Sequence, residues 1–179
     1  KTMFGPGPYF GWYGVDHNDK TSRPYVEKLS DPSVHFEYKE AEKAIDLVAS
    51  HIAQHGPYDV LLGFSQGAII ITILTAQRLK AAREQGAAPP EWLLNVLVCG
   101  MPPRDNRYIA LTTSPPIDFP CSLMFGKKDG FYGYGQRLRD IYVSPDVFEH
   151  ERGHEFPSAT DPLNQQWVES MRKRLGLKD

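Results

Sequence analysis

The chain is short of cysteine, of charge imbalance and of long apolar runs, and each shortage removes a class of protein. Two cysteines in 179 residues, Cys99 and Cys121, do not make a disulfide framework. Cys99 closes one apolar run and Cys121 opens another, so both read as buried thiols of a reducing compartment, and the expected location is cytoplasmic. A formal charge of −2 argues against the basic footprint that a nucleic-acid or membrane-surface partner requires. No run approaches the ~18 apolar residues of a membrane span. The six histidines lack H-E-x-x-H or other ligand spacing, and the cysteines are not paired as C-x-x-C. No G-x-G-x-x-G or Walker pattern occurs, so neither a metal nor another cofactor is expected. There is no internal repeat and no low-complexity tract.

What remains is enough chain for one domain with a substantial core, expected over residues 1–179. The chain begins at Lys1 without a signal-peptide pattern, which leads to the expectation that an N-terminal piece is missing. Residues 1–34 read as irregular, mixing the breakers Gly5-Pro6-Gly7-Pro8 with Tyr9, Phe10, Trp12 and Tyr13. Ala41, Ala44, Ile45, Val48 and Ile52 recur at helical spacing, which predicts a helix over 39–55 ended by Gly56-Pro57. Tyr58 to Phe64 reads as a buried strand. The β-branched run Ile69-Ile70-Ile71-Thr72-Ile73 could be a strand. The pattern continues through Leu74, Ala76 and Leu79 to Gly86, too long for a strand, so a buried helix is expected.

Further strands are expected at Leu93–Cys99, Cys121–Phe125 and Val147–His150. Helices are expected near Arg107–Leu111, at Gln136–Tyr142 and at Asp161–Leu175. Alternating strands and helices predict an α/β fold with a mostly parallel sheet covered on both faces.

Ser65 stands in Gly63-Phe64-Ser65-Gln66-Gly67, after the apolar Val60-Leu61-Leu62 and before the long helical segment. This is G-x-S-x-G between a strand and a helix, where a sharp turn lifts the serine hydroxyl clear of the sheet. The flanking glycines fit a turn in which a Cβ would collide with its neighbours. A helix N-terminus at the serine favours developing negative charge. A serine hydroxyl needs a base to take its proton and an acid to orient that base, and in such sheets the chain order is serine, acid, histidine.

Asp129 follows the strand at 121–125 through Gly126-Lys127-Lys128, which places a carboxylate at the sheet's carboxyl edge. It could equally be an Asp-Gly turn residue. Asp105, Asp118 and Asp146 are weaker candidates, since none leaves a convincing strand. His154, in Gly153-His154-Glu155-Phe156-Pro157, lies between the last strand and the last helix. His17, His35, His51 and His55 precede the serine, and His150 falls within a strand.

Gly56-Pro57-Tyr58-Asp59 followed by Gly63-Phe64-Ser65-Gln66-Gly67 resembles the FSH serine hydrolases, which include the ovarian-cancer-gene-2-like proteins. Gly126-x-x-Asp129 and Gly153-His154-x-x-Pro157 are similar to that family's later motifs in order and spacing. The resemblance covers about residues 8–175. It implies an α/β-hydrolase fold, esterase or thioesterase activity, and a catalytic set of Ser65, Asp129 and His154, the same three residues that order and context select. Acyl-protein thioesterases share G-F-S-Q-G but usually continue with glycine, where this chain has Ala68. The family's first strand, ending in a His-Gly segment that provides an oxyanion-hole N–H, has no counterpart before residue 35. The N-terminal strand or strands and half the oxyanion hole are therefore expected to be missing.

The expected function is hydrolysis of a small acyl ester or thioester through an acyl-enzyme. The Gln66 backbone N–H would serve the oxyanion site, and Phe64, Trp12, Phe131 and Tyr132 are candidate pocket residues. Tyr9, Phe10 and Tyr134 are further aromatics of the same loops, and Gly130 to Gly135 reads as a flexible rim. The alternatives are a silent binding module on the same scaffold, an acyl-protein-thioesterase-like enzyme, or transacylation.

Overall fold

The computed structural model describes residues 10–177; Gly5-Pro6-Gly7-Pro8 and Tyr9 lie outside them. Four parallel strands form the central sheet in the order β3-β4-β5-β6: β3 (Val60–Phe64), β4 (Leu94–Val98), β5 (Cys121–Gly126) and β6 (Asp146–His150). Each adjacent pair is joined through helical chain, as a parallel ladder requires. A separate antiparallel ribbon pairs β1 (Gly14–His17) with β2 (Phe36–Lys39), and α1 (Tyr25–Ser30) lies between them. The stretch expected to be irregular therefore holds a strand and a short helix.

Alternation along the strands sorts the core into two layers. Leu97, Leu123 and Phe125 face α3 (Gln66–Gln85), against Ala68, Ile71 and Ala76. Leu94, Val96, Val98 and Met124 face the opposite way and pack with Trp167 of α6 (Leu163–Arg174). Helices thus cover both faces. The β-branched run at 69–73 is helical. Gly67 to Ala76 are all buried, so α3 is apolar all round where the sheet, α2 (Ala41–His55) and α4 (Asn106–Thr113) enclose it. Thr72 and Thr75 hydroxyls bond back to the carbonyls of Ala68 and Ile71.

A buried arginine joins the ribbon to the sheet. Arg104 donates to the carbonyls of Leu29, Asp31 and Val34, and its N–H donates to the Tyr38 hydroxyl at 2.7 Å. Asp105 caps α4 through the Arg107 N–H and accepts from the Tyr38 N–H at 2.7 Å. Burial pushes its carboxyl up, but hydrogen bonds from Arg107 and Tyr38 outweigh that and hold it below the usual range. These contacts fix Leu29 and Tyr38 beside the carboxyl ends of the strands, where the cavity described below opens.

Candidate active site

Ser65 is the residue between β3 and α3, at φ 53° and ψ −116°. That conformation strains any residue with a side chain, and here the surroundings enforce it. The Ser65 N–H donates to the Val98 carbonyl at 2.9 Å, tying the turn to β4. A Cβ on Gly63 would meet the backbone of Gly67 and Ala68 at 2.7 Å, so no side chain fits between strand and helix. Gly67 is tight for a different reason: a Cβ there would stand 3.3 Å from the Trp12 indole nitrogen. Gln66 opens α3, so its backbone N–H is among the first-turn donors that have no partner within the helix.

His154 and Asp129 come from loops that grip each other. A Cβ on Gly126 would fall 2.1 Å from the Gly153 carbonyl oxygen, so the close approach of the two loops requires glycine there. Lys127 and Lys128 N–H groups donate to the carbonyls of His150 and Arg152. The result is an unbroken chain of hydrogen bonds. His154 Nε2 lies 2.8 Å from Ser65 Oγ, and His154 Nδ1 lies 2.7 Å from Asp129 Oδ2. The Asp129 Oδ1 accepts from the Phe131 N–H at 2.8 Å, which fixes the carboxylate plane. With Asp129 ionised, Nδ1 carries the proton and Nε2 is left to accept from the hydroxyl. Both side chains are at least nine-tenths buried. Phe64 and Phe131 rings, 5.0 and 5.6 Å from the imidazole, pack against it.

The sequence order thus brings Ser65, Asp129 and His154 together, and the other candidates lie elsewhere. His150 ends β6 and is buried, with Nδ1 accepting from the Arg152 N–H. Asp146 opens β6 and pairs with Arg174.

Cys99 is a neighbour the sequence did not single out. It sits at φ 49°, is buried, and its thiol donates to the Glu155 carbonyl at 3.5 Å. One ligand atom each from Cys99, Asp129 and His154 falls within 4.8 Å of the others, the only such group among the described residues. Burial and then the Asp129 carboxylate push the thiol up to about 11, so it stays protonated, and both His154 nitrogens already face hydrogen-bond partners. This set suits proton transfer better than ion binding.

A cavity of about 780 Å³ opens over Ser65 and His154. Phe64, Trp12 and Phe131 line it, as do Phe10 and Tyr134. Tyr132 does not. Phe131 and Tyr134 sit three apart and share one side of a helical turn, which rotates Tyr132 away to donate to Glu149 at 3.0 Å. That turn is α5 (Tyr132–Gly135), so the rim expected to be flexible is helical, continuing into a 3-10 turn at Gln136–Asp140. Tyr13, Tyr25 and Tyr38 also line it. Tyr13 belongs to the aromatic loop that could wall a pocket, whereas Tyr25 and Tyr38 were not legible as pocket residues, because they reach the site from α1 and β2. Phe156, two residues past His154, also lines the cavity, and its ring stacks on Phe64 at 5.5 Å. Its nearness to the histidine was the one available signal.

Comparison with known proteins bears on the fold and the family. A solved α/β hydrolase, MGS-MChE2 from a metagenome of lagoon sediments at Mar Chica, Morocco, superposes with a TM-score of 0.58. It is 14% identical and covers 75% of this chain and 70% of its own, a likeness of fold. Esterase FPY3 of Fusarium mangiferae is 30% identical over 126 residues, 64% of this chain and 55% of that protein. Human esterase OVCA2 is 28% identical over 142 residues, 78% of this chain and 59% of that protein. The chain thus spans little more than half the length of these curated relatives. The model of the family described as serine hydrolase (FSH1) matches residues 2–166, and the chain belongs to that family.

Proposed function

We propose that this site is that of a serine-dependent esterase acting on small apolar acyl esters or thioesters. The observation that carries the reading is the hydrogen-bonded chain from Ser65 Oγ through His154 to Asp129. His154 Nε2 takes the hydroxyl proton as Ser65 attacks the acyl carbonyl. Asp129 holds the imidazole in the Nδ1–H tautomer and stabilises the cation that forms. The Gln66 N–H at the start of α3 stabilises the oxyanion. The alcohol or thiol leaves with the proton from His154. Water then attacks the acyl-enzyme with His154 again as base, releasing the acid and restoring the hydroxyl.

The acyl specificity follows from the cavity wall. Among the described residues that line it there is no aspartate, glutamate, lysine or arginine, and many are aromatic. An acyl group bearing a carboxylate or phosphate would be desolvated there without a counter-ion, which is costly. Esterases among the relatives support the reaction class. The test is a fluorophosphonate probe with peptide mapping. Labelling confined to Ser65, and lost in Ser65→Ala, is the expected result. A folded protein left unlabelled would sink the proposal.

A further inference from the structure

Gln66 follows the nucleophile, and the mechanism above uses only its backbone N–H. Its side chain is engaged elsewhere. The Trp12 N–H donates to Gln66 Oε1 at 2.8 Å, and Gln66 Nε2 donates to the Tyr13 carbonyl at 3.0 Å. One carboxamide therefore satisfies a backbone donor and a backbone acceptor on consecutive residues, as a neighbouring strand would. The segment so held precedes β1 and has no regular structure of its own. It is apolar, with Phe10 94% and Trp12 46% accessible and Tyr13 buried against Tyr38.

The fit around the amide is close. A Cβ on Gly11 would stand 3.3 Å from Gln66 Oε1. The Trp12 ring nitrogen lies over Gly67, within the same elbow. Trp12 lines the cavity above Ser65 and also a second, apolar cavity of about 570 Å³ beside β3, walled by Leu47, Tyr58 and Ile70. Trp12, Leu62 and Gly67 line both cavities, so the indole stands at the boundary between the space above Ser65 and the second space.

We propose that the Gln66 carboxamide is a specificity-determining strap, which fixes the Trp12–Tyr13 wall at a set distance from Ser65 and so limits the length of acyl group accepted. The proposal rests on the esterase reading. The side chain touches no reacting atom; it acts through Trp12 and is a positioning residue. Nucleophile and strap are consecutive in the chain, so the wall is referenced to the elbow itself.

The test combines two readouts. In Gln66→Met, a side chain of similar length without the amide, the Trp12 amide should exchange its hydrogen about tenfold faster, measured by mass spectrometry on the substrate-free protein. Gln66→Glu keeps an acceptor for that N–H and should retain the protection, which guards against a general loss of fold in the methionine variant. Unchanged exchange in Gln66→Met would overturn the strap. For specificity, the ratio of kcat/KM for p-nitrophenyl decanoate to that for the butyrate should rise about tenfold in Gln66→Met and in Trp12→Ala. The double variant should match the larger single effect, because one residue acts through the other. A ratio that stays flat or falls, or effects that simply add, would overturn the length limit. Should the wild-type protein resist the fluorophosphonate, it is the esterase reading that fails, while the exchange result still decides the strap.

Discussion

The two outermost strands of the sheet among the described residues are built in opposite ways. β6 carries charge and is guarded. Glu149 accepts from Tyr132, Gln136 and Arg139, and Asp146 from Ser170 and Arg174. α6 packs over it. β3 is Val-Leu-Leu-Gly-Phe without a charge, with Leu62 55% exposed and Leu47 of α2 64% exposed nearby. Among the described residues its one ladder partner is β4. Natural sheet edges are usually blunted by charge, as β6 is, whereas a strand as apolar as β3 is typical of a sheet interior. The site straddles this contrast. Asp129 and His154 arrive from the guarded side, buried and hydrogen-bonded, whereas Ser65 arrives from β3, where the elbow geometry, the Ser65 N–H bond to the Val98 carbonyl and the Gln66 side chain hold the surroundings in place.

The sharpest way to break the contrast lies on the guarded side. Asp129→Asn keeps an acceptor for the Phe131 N–H but favours the wrong histidine tautomer, and should lower kcat/KM on a p-nitrophenyl ester by about 10⁴-fold. Glu149→Gln, the same change on the same side of the sheet, removes exposed ion pairing with Arg139 and should cost about threefold at most. Comparable losses in the two would mean that the Asp129–His154 bond does no more than support the fold.

Lysine substitutions sharpen the contrast through stability. Leu123 on β5 is fully buried, and Leu123→Lys would bury an unpaired ammonium, at a cost of about 4 kcal/mol or more. Leu62→Lys on β3 places the same group where water already reaches, and should move stability by no more than about 0.5 kcal/mol. It should also reduce light scattering at high protein concentration, since a charged edge pairs less readily. Urea midpoints distinguish the two. A large loss in Leu62→Lys would show that the β3 edge is sealed.

The legible parts of this molecule are those encoded locally. Val60-Leu61-Leu62 before Gly63 and a long apolar run after Gly67 marked strand, elbow and helix within one window. Chain order then selected Asp129 and His154, because each follows a strand of the parallel sheet. The run 69–73 would mislead on propensity alone, and the expected helix is the one observed. Burial on every side overrides β-branching there, and length gave the better signal. The β1–β2 ribbon was hidden, since its strands are short, β1 is mostly exposed, and its partner lies some twenty residues on. Gly130 to Gly135 looked loose for want of an apolar period, yet the Asp129 side chain and carbonyl seed its turn through the Phe131 and Tyr132 N–H groups. The network of Trp92, Asn95, Thr75 and Tyr142, buried under the sheet, and the Gln66 strap both depend on partners far apart in sequence. No periodicity announces such contacts.

The smallest expected effect is a null result on the guarded side. Cys99 lies beside Asp129 and His154, buried behind the cavity wall. Alkylation needs the thiolate. Burial, and then the Asp129 carboxylate, push the Cys99 thiol up to about 11, and burial pushes Cys121 well above its ordinary value. A raised thiol pKa leaves the neutral form dominant until the pH approaches that value, so at pH 8 the thiolate at Cys99 is about a thousandth of the population. Iodoacetamide at pH 8 should therefore leave both cysteines unmodified in the native protein and alkylate both after denaturation, as read by intact mass. Rapid native modification at Cys99 alone would show that solvent and reagent reach the Asp129–His154 pair. The two sides of the site would then be equally open, and the difference between the edges would stop at the sheet.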